Sequence, residues 1–371
     1  MKHLRLTIVA GVVAGLVFAG VVLLRRQPAP PAPPTDLALT DCDGAISTVI
    51  LQYIPDAADI SPAVYAAFVA NVPRDITVHV VCDSEAAFID FLQQSGIPQK
   101  KLVPLFLAHK MSTWSRDRWV GLAREDGGFT LLAPRGEDNA EEWPQRAGDA
   151  KVTRHLGLLL ENTDARYSAL YFDGGDFVVD SDRAYVTPRV LSRNLQKTVQ
   201  TRDELIAALE AELGRPVLLL DRAPDHHAGM FMMPISEGRV MVADPSLAFG
   251  LMDPAELDAL FPDGADRTPE TQALFDAVAA QLTAAGIEVI RAPTAPGADG
   301  RAYLAYLNVI LNERQGQRFV YMPTYQGADA LNATATQVWQ DAGYTVLPVD
   351  CTSAYRHGGS LRCLVNIPHR K

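Results

Sequence analysis

Apolar and polar positions along this chain repeat one phrase. "EAAFIDFLQQSGIPQKKLVPLFL" (85–107), "DELIAALEAELGRPVLLLD" (203–221), "ALFDAVAAQLTAAGIEVIRAP" (273–293) and "ATATQVWQDAGYTVLPVD" (333–350) share a design. Each opens with apolar residues at helical spacing, reaches a Gly, and continues as a short apolar run. The phrase predicts an amphipathic helix followed by a strand. Between the phrases lie hairpin-like stretches such as "DFVVDSDRAYVTPR" (176–189) and "GRVMVADP" (238–245), which predict paired strands. An ordinary α/β sheet also alternates helix and strand. Repetition of a whole strand–strand–helix–strand unit points instead to pseudo-symmetric modules around an axis, with insertions accounting for their uneven spacing.

The N-terminus breaks the pattern. After a basic start the sequence is uncharged and apolar from Leu6 to Leu24, long enough to cross a bilayer once as a helix. No small-residue cleavage site precedes Arg25, so an uncleaved anchor is expected over residues 1–26 rather than a signal peptide. The alternative is a cleaved segment and a secreted protein. Lys2 and Arg5 balance Arg25 and Arg26, so charge does not orient the span. "QPAPPAPPT" follows over 27–35 as an extended Pro-rich spacer. One folded domain is expected over 36–371, outside the cytosol.

Composition narrows the partners. A net charge of −11 over 371 residues argues against a nucleic-acid partner, which would want a basic face. Cys42, Cys82, Cys351 and Cys363 form no Cys-x-x-Cys zinc spacing. If Cys363 stays free, at most one disulfide forms among the other three.

The polar oddities sit where apolar strand-like runs end, and α/β proteins tend to build sites there. "TWSRDRW" (113–119) carries Trp114 and Asp117, and "FDGGD" (172–176) carries Asp173 and Asp176. "PDHHAG" (224–229) carries adjacent His226 and His227, one of which is expected to face solvent. "GGSLRC" (358–363) ends in Cys363. Each has a bland reading: a surface ion pair, a turn, a hydrogen-bonded histidine, a packing cysteine. Together they form a coherent kit. A thiolate is a strong nucleophile, a histidine moves protons to a leaving group, and paired carboxylates match the forked donors of guanidinium.

These motifs resemble those of the guanidino-group-modifying pentein enzymes, particularly the agmatine deiminase and bacterial peptidylarginine deiminase group. "WSRD" is similar to the family's Trp-x-Arg-Asp, "FDGGD" to its Glu-Gly-Gly-Asn/Asp, and "GGSLRCLVNIP" to its Gly-Gly-x-x-His-Cys end. "YLAYLNVILN" is similar to its Ser-Tyr-x-Asn strand. The resemblance implies an α/β propeller of five ββαβ modules with a central site, and no metal or organic cofactor. It implies Cys363 as nucleophile, His227 as acid and base, and Asp173 as the carboxylate that orients the histidine. Asp117, Trp114 and Asp176 would bind substrate. The implied reaction hydrolyses a guanidino group to a ureido product and ammonia through a thiouronium intermediate, the substrate being a small guanidino compound or an arginyl peptide.

Two departures stand out. Asp173 replaces a Glu, and the family's His-x-Asp reads His227-Ala228-Gly229. The second removes a clamping carboxylate, as in the related dimethylarginine hydrolases, and is expected to leave room for an alkyl group or a water. Amidino transfer and a catalytically inactive binding module are the alternative functions.

Overall fold

The computed structural model describes residues 36–136 and 144–371. Among these the strands form five separate sheets of three or four strands. Each contains the same unit: an antiparallel pair, a helical crossover, and a third strand parallel to the second. Parallel neighbours need such a crossover, which explains why each amphipathic helix is followed by a strand.

Val120–Ala123 pairs antiparallel with Phe129–Ala133, and Thr163–Tyr167 returns parallel after the helix Pro144–Leu159. The order recurs in Phe177–Val179, Ala184–Val186 and Val217–Leu219. It recurs again in Met232–Ser236, Arg239–Asp244 and Glu288–Pro296, and in Ile310–Arg314, Gln317–Thr324 and Thr345–Asp350. The fifth sheet takes its first strand from the far end of the chain. Val365–Arg370 lies antiparallel to Ile46–Gln52, which is parallel to Thr77–Cys82 across the helix Pro62–Asn71. Chain ends usually fray; here the C-terminal strand is locked into a sheet two residues after the cysteine.

The four helices expected from the repeated phrase are Glu85–Ser95, Arg202–Leu213, Pro269–Ala284 and Asp329–Asp341. Ser84, Thr201 and Thr268 cap the first three through their side-chain oxygens. Gly96 and Gly214 end the first two with φ of 67° and 65°, the left-handed conformation a helix stop favours. One stripe of each helix is buried, Leu205, Leu209 and Leu213 in the second and Leu331, Ala335 and Trp339 in the fourth.

No helix among the described residues is long and apolar enough to cross a membrane. The anchor expected over 1–26 and the spacer over 27–35 lie outside the described residues. All four cysteines are free and buried, so the disulfide considered among Cys42, Cys82 and Cys351 is not formed. Burial pushes the Cys82 and Cys351 thiols up to about 12, leaving them as inert packing groups.

Candidate active site

The segments that follow the parallel strands of different sheets converge on one cavity of about 260 Å³, lined by Trp114, Asp117, Asp173, His227 and Cys363 among others. Glycines allow the approach. A side chain at Gly174 would strike the backbone of Arg116 and Trp119, at 2.3 and 2.5 Å, and one at Gly175 would strike the His227 ring at 2.6 Å. A side chain at Gly359 would meet the Trp114 indole at 2.4 Å. None of these three has a positive φ; they are small because another segment lies directly against them. Gly174, Gly175 and Gly359 are therefore packing surfaces between strand-end segments, whereas Gly358 takes the left-handed conformation with φ of 81°.

His227 sits between two carboxylates. Its Nε2 is 3.4 Å from Asp173 Oδ2 and its Nδ1 is 3.8 Å from Asp117 Oδ1. Burial disfavours the imidazolium, but Asp117, Asp173 and the Cys363 thiol outweigh it and hold the histidine well above its ordinary value. Burial opposes ionisation of Asp173 as well. The hydrogen bond and charge of His227, aided by Arg193 at 3.1 Å, bring that carboxyl well below the usual range. Asp117 goes the other way, raised by burial and by the neighbouring Asp173 charge. Asp173 Oδ1 is buried with no hydrogen-bond partner among the described residues, although buried acceptors are normally satisfied.

Asp176, expected to bind substrate, is completely buried and does not line the cavity. Its Oδ2 accepts the Asp173 N–H at 2.9 Å and its Oδ1 accepts the Thr187 hydroxyl at 3.0 Å. It shapes the loop that presents Asp173. The expectation for the two histidines also needs correction, because neither faces solvent. His226 is 9% exposed, and its Nδ1 accepts the His227 backbone N–H at 2.9 Å. Its Nε2 must then carry the proton, and it lies 3.3 Å from the Arg301 carbonyl. Burial lowers the His226 pKa to about 3, so it stays neutral beside its charged neighbour.

Cys363 lies in the short helix Leu361–Leu364, 4% exposed at the cavity wall. Asn308 braces this segment, a role the sequence reading does not give it. Its Oδ1 accepts the Arg362 N–H at 2.7 Å and the Cys363 N–H at 3.4 Å, while its Nδ2 is 3.5 Å from the Cys363 sulfur. The signal was the Tyr-x-Asn motif at the end of another strand.

The space opposite Gly229 is not vacant. A Cβ there would stand 3.2 Å from Arg362 Cδ and 3.3 Å from its Nη1. Arg362, where the family motif has His, is fixed by Asp41 at 2.8 Å and by the Phe177 carbonyl at 3.0 Å. Gly229 does not line the cavity, so the expected room for an alkyl group or water is filled by Arg362. Among the described residues no group of three or more His, Cys, Asp and Glu is placed to hold a metal ion.

The cavity thus combines a thiol, an imidazolium and two carboxylates, a set suited to binding a planar cation and moving protons on it. Comparison with solved structures shows a shared fold. A Porphyromonas gingivalis protein described as a putative arginine deiminase superposes with a TM-score of 0.69 at 20% identity, over 90% of this chain and 98% of that one. Agmatine deiminases of Enterococcus faecalis and C. jejuni give TM-scores of 0.67 and 0.66 at 13% and 14% identity. They cover 93% and 91% of this chain and 99% and 96% of theirs. No curated protein matches the chain. The family model for Porphyromonas-type peptidyl-arginine deiminases matches residues 51–367, and the chain belongs to that family.

Proposed function

We propose that the protein hydrolyses the guanidino group of a small agmatine- or arginine-type compound. The observation that carries this reading is the placement of Cys363, His227, Asp117 and Asp173 on one cavity, with an unpaired Asp173 oxygen available to a guanidinium N–H. Family membership supports the reaction class. The Cys363 thiolate attacks the guanidinium carbon, and the imidazolium of His227 gives its proton to the departing nitrogen, which leaves as ammonia. Neutral His227 then takes a proton from water as its oxygen attacks the thiouronium carbon. Collapse of that adduct breaks the carbon–sulfur bond and passes the hydroxyl proton to solvent, releasing the ureido product and the thiolate. We also read the five sheets as blades of a closed propeller, a reading supported by the pairing of Val365–Arg370 with Ile46–Gln52.

The test is detection of ureido product and ammonia from agmatine, arginine and an arginyl peptide, in the parent and in Cys363→Ser. Loss of a nucleophile costs roughly 10⁴-fold or more. Turnover that survives in a folded Cys363→Ser variant would remove the proposed mechanism.

A further inference from the structure

The cavity floor carries Asp117, Asp173 and Cys363, and its mouth carries Arg189, Asp225, Arg301 and His357. The nucleophile on that floor is also held from outside the cavity, by a strap over residues 37–41. Leu37 and Ala38 pair antiparallel with Ala123 and Leu122, and the Leu39 N–H donates to the Gly121 carbonyl at 2.9 Å. The strap then crosses to the next sheet. The Asp41 N–H donates to the Val179 carbonyl at 2.7 Å, and Asp41 Oδ2 accepts the Val179 N–H at 2.9 Å. Asp41 Oδ1 is thereby aimed at Arg362, the residue before Cys363, whose Nη2 and Nε lie 2.8 and 3.3 Å away.

Arg362 is gripped at both ends. Asn308 Oδ1 accepts its backbone N–H at 2.7 Å, while Asp41 and the Phe177 carbonyl hold its guanidinium. The first grip fixes where the turn sits. The second acts through a long arm and resists rotation of that turn. Burial opposes ionisation of Asp41, but the charges of Arg362, Arg116 and Arg370 hold it below the usual carboxylate range. Burial and the Arg362 charge in turn bring Arg116 down to about 9. Without the negative charge of Asp41, Arg116 repels Arg362 with less to oppose it. The Arg362 stem already lies against the segment carrying His227, since a Cβ at Gly229 would stand 3.2 Å from its Cδ.

We infer that Asp41 is a positioning residue for the nucleophile: by anchoring Arg362 it fixes the orientation in which Cys363 meets a cation on the floor. Attack on a planar carbon needs the sulfur above that plane, and a misplacement of about 1 Å costs up to roughly 10²-fold. The inference rests on the guanidino reading of the floor, and its test does not depend on turnover.

The experiment alkylates the full-length protein with 2-chloroacetamidine, a planar cation, and with neutral 2-chloroacetamide. In both the thiolate displaces chloride, and peptide mass spectrometry follows the product at Cys363. In the parent the amidine should be preferred at least about tenfold beyond its preference with glutathione, the effect of one charge-assisted hydrogen bond. In Asp41→Asn that preference should fall about tenfold, with the amide rate within about threefold of the parent. Arg362→Met removes the arm and one buried cation, so it keeps the test decisive should Asp41→Asn not fold. It should lower the preference similarly. The double variant should be no worse than either single one, because both cut the same link.

A parent without the preference, a preference unmoved in folded Asp41→Asn or Arg362→Met, or a double variant that loses the product of both factors would overturn the inference. Equal rises in both alkylation rates, the mark of a thiol exposed by loosening, would do the same. Turnover by the parent judges the hydrolase separately. An Asp41-dependent preference in a protein that turns over neither agmatine nor arginine would sink the hydrolase and keep the positioning role. Turnover with an unmoved preference would do the reverse.

Discussion

The floor and the mouth of the cavity are built by different rules. On the floor every functional side chain is held by another segment: His227 by two carboxylates, Asp173 by Arg193 and the Asp176 loop, and Cys363 by Asn308. Glycines without side chains let these segments touch. At the mouth, Arg301 and the 93% exposed Asp225 side chain stand in solvent on loops. Chemistry needs its groups fixed within fractions of an ångström, whereas groups at a cavity mouth can stand on exposed loops. His226 and His227 mark the border. Adjacent in sequence, one is neutral and bridges to the mouth, while the other is charged and faces the floor.

Breaking the floor is expected to have the largest effect. His227→Ala should lower kcat by roughly 10²–10⁴-fold, the range for removing a general acid–base group. His226→Gln, which can still accept and donate, should stay within roughly tenfold of the parent. Equal losses would mean that the division between the two histidines is wrong. In the parent, kcat/KM should fall on the alkaline side, because the raised His227 pKa keeps the imidazolium at neutral pH and loses it only above.

Asp117→Asn comes next. It leaves the fold's hydrogen-bonding volume nearly unchanged but removes one negative charge from the guanidinium site, worth about 1.5–3 kcal/mol, or roughly 10–150-fold in kcat/KM. It should also lower the His227 pKa, since Asp117 is the foremost charge raising it. The alkaline limb of the kcat/KM profile should therefore move to lower pH. An unmoved limb would show that Asp117 does not act on His227.

Much of this site was legible from residue types at strand ends. Cys363, His227, Asp117, Asp173 and Trp114 all line the cavity, because strand ends are where separate segments can converge. The roles of Asp176, Asn308 and Arg362 were not, since they depend on which side of a loop a group faces. A carboxylate directly flanking a Gly-Gly reads alike whether it meets ligand or backbone. The fold shows the same division. Helices with one apolar stripe stood out, but Pro62–Asn71 is apolar nearly all round and Pro144–Leu159 is interrupted by Gly148 and Gly157. Those glycines have a packing cause. A side chain at Gly157 would stand 2.8 Å from the Ala165 nitrogen, where helix meets strand. Periodicity records a face, and it fades where a helix is apolar nearly all round, as in Pro62–Asn71, or exposes leucines and carries glycines, as in Pro144–Leu159.

The border histidine makes a smaller, measurable contribution to acid stability. Burial lowers the folded pKa of His226 to about 3 from its ordinary 6.5. Between those values the unfolded chain takes up a proton that the native state refuses, so stability falls as pH falls through that window. At about 1.4 kcal/mol per pH unit the whole interval amounts to a few kcal/mol. His226→Gln cannot titrate. Its loss of stability from pH 6.5 to 4, followed by urea unfolding, should be smaller than the parent's by about 1–3 kcal/mol. Parallel profiles would mean that His226 protonates freely in the native state, and the fixed bridge to Arg301 would not hold.

The smallest effect concerns Gly229, where the sequence pattern and the geometry disagree. If the missing family carboxylate left a gap facing substrate, Gly229→Asp would restore a clamp and favour unsubstituted guanidines over N-methylated ones. The geometry directs the new side chain elsewhere. Its Cβ would stand 3.2 Å from Arg362 Cδ, and Arg362 cannot swing away freely because Asp41 and the Phe177 carbonyl hold it. A carboxylate at this position would meet the Arg362 guanidinium, competing with Asp41 rather than with substrate. Gly229→Ala isolates the steric part and should cost about 1 kcal/mol of stability, at the low end of overpacking. For Gly229→Asp, the ratio of kcat/KM for agmatine to that for N-methylagmatine should remain within about twofold of the parent, since an interaction absent from the cavity discriminates nothing there. A tenfold shift toward agmatine would place the new carboxylate against the substrate. Arg362 would then be a movable plug, and Asp41→Asn, by releasing it, should enlarge the shift.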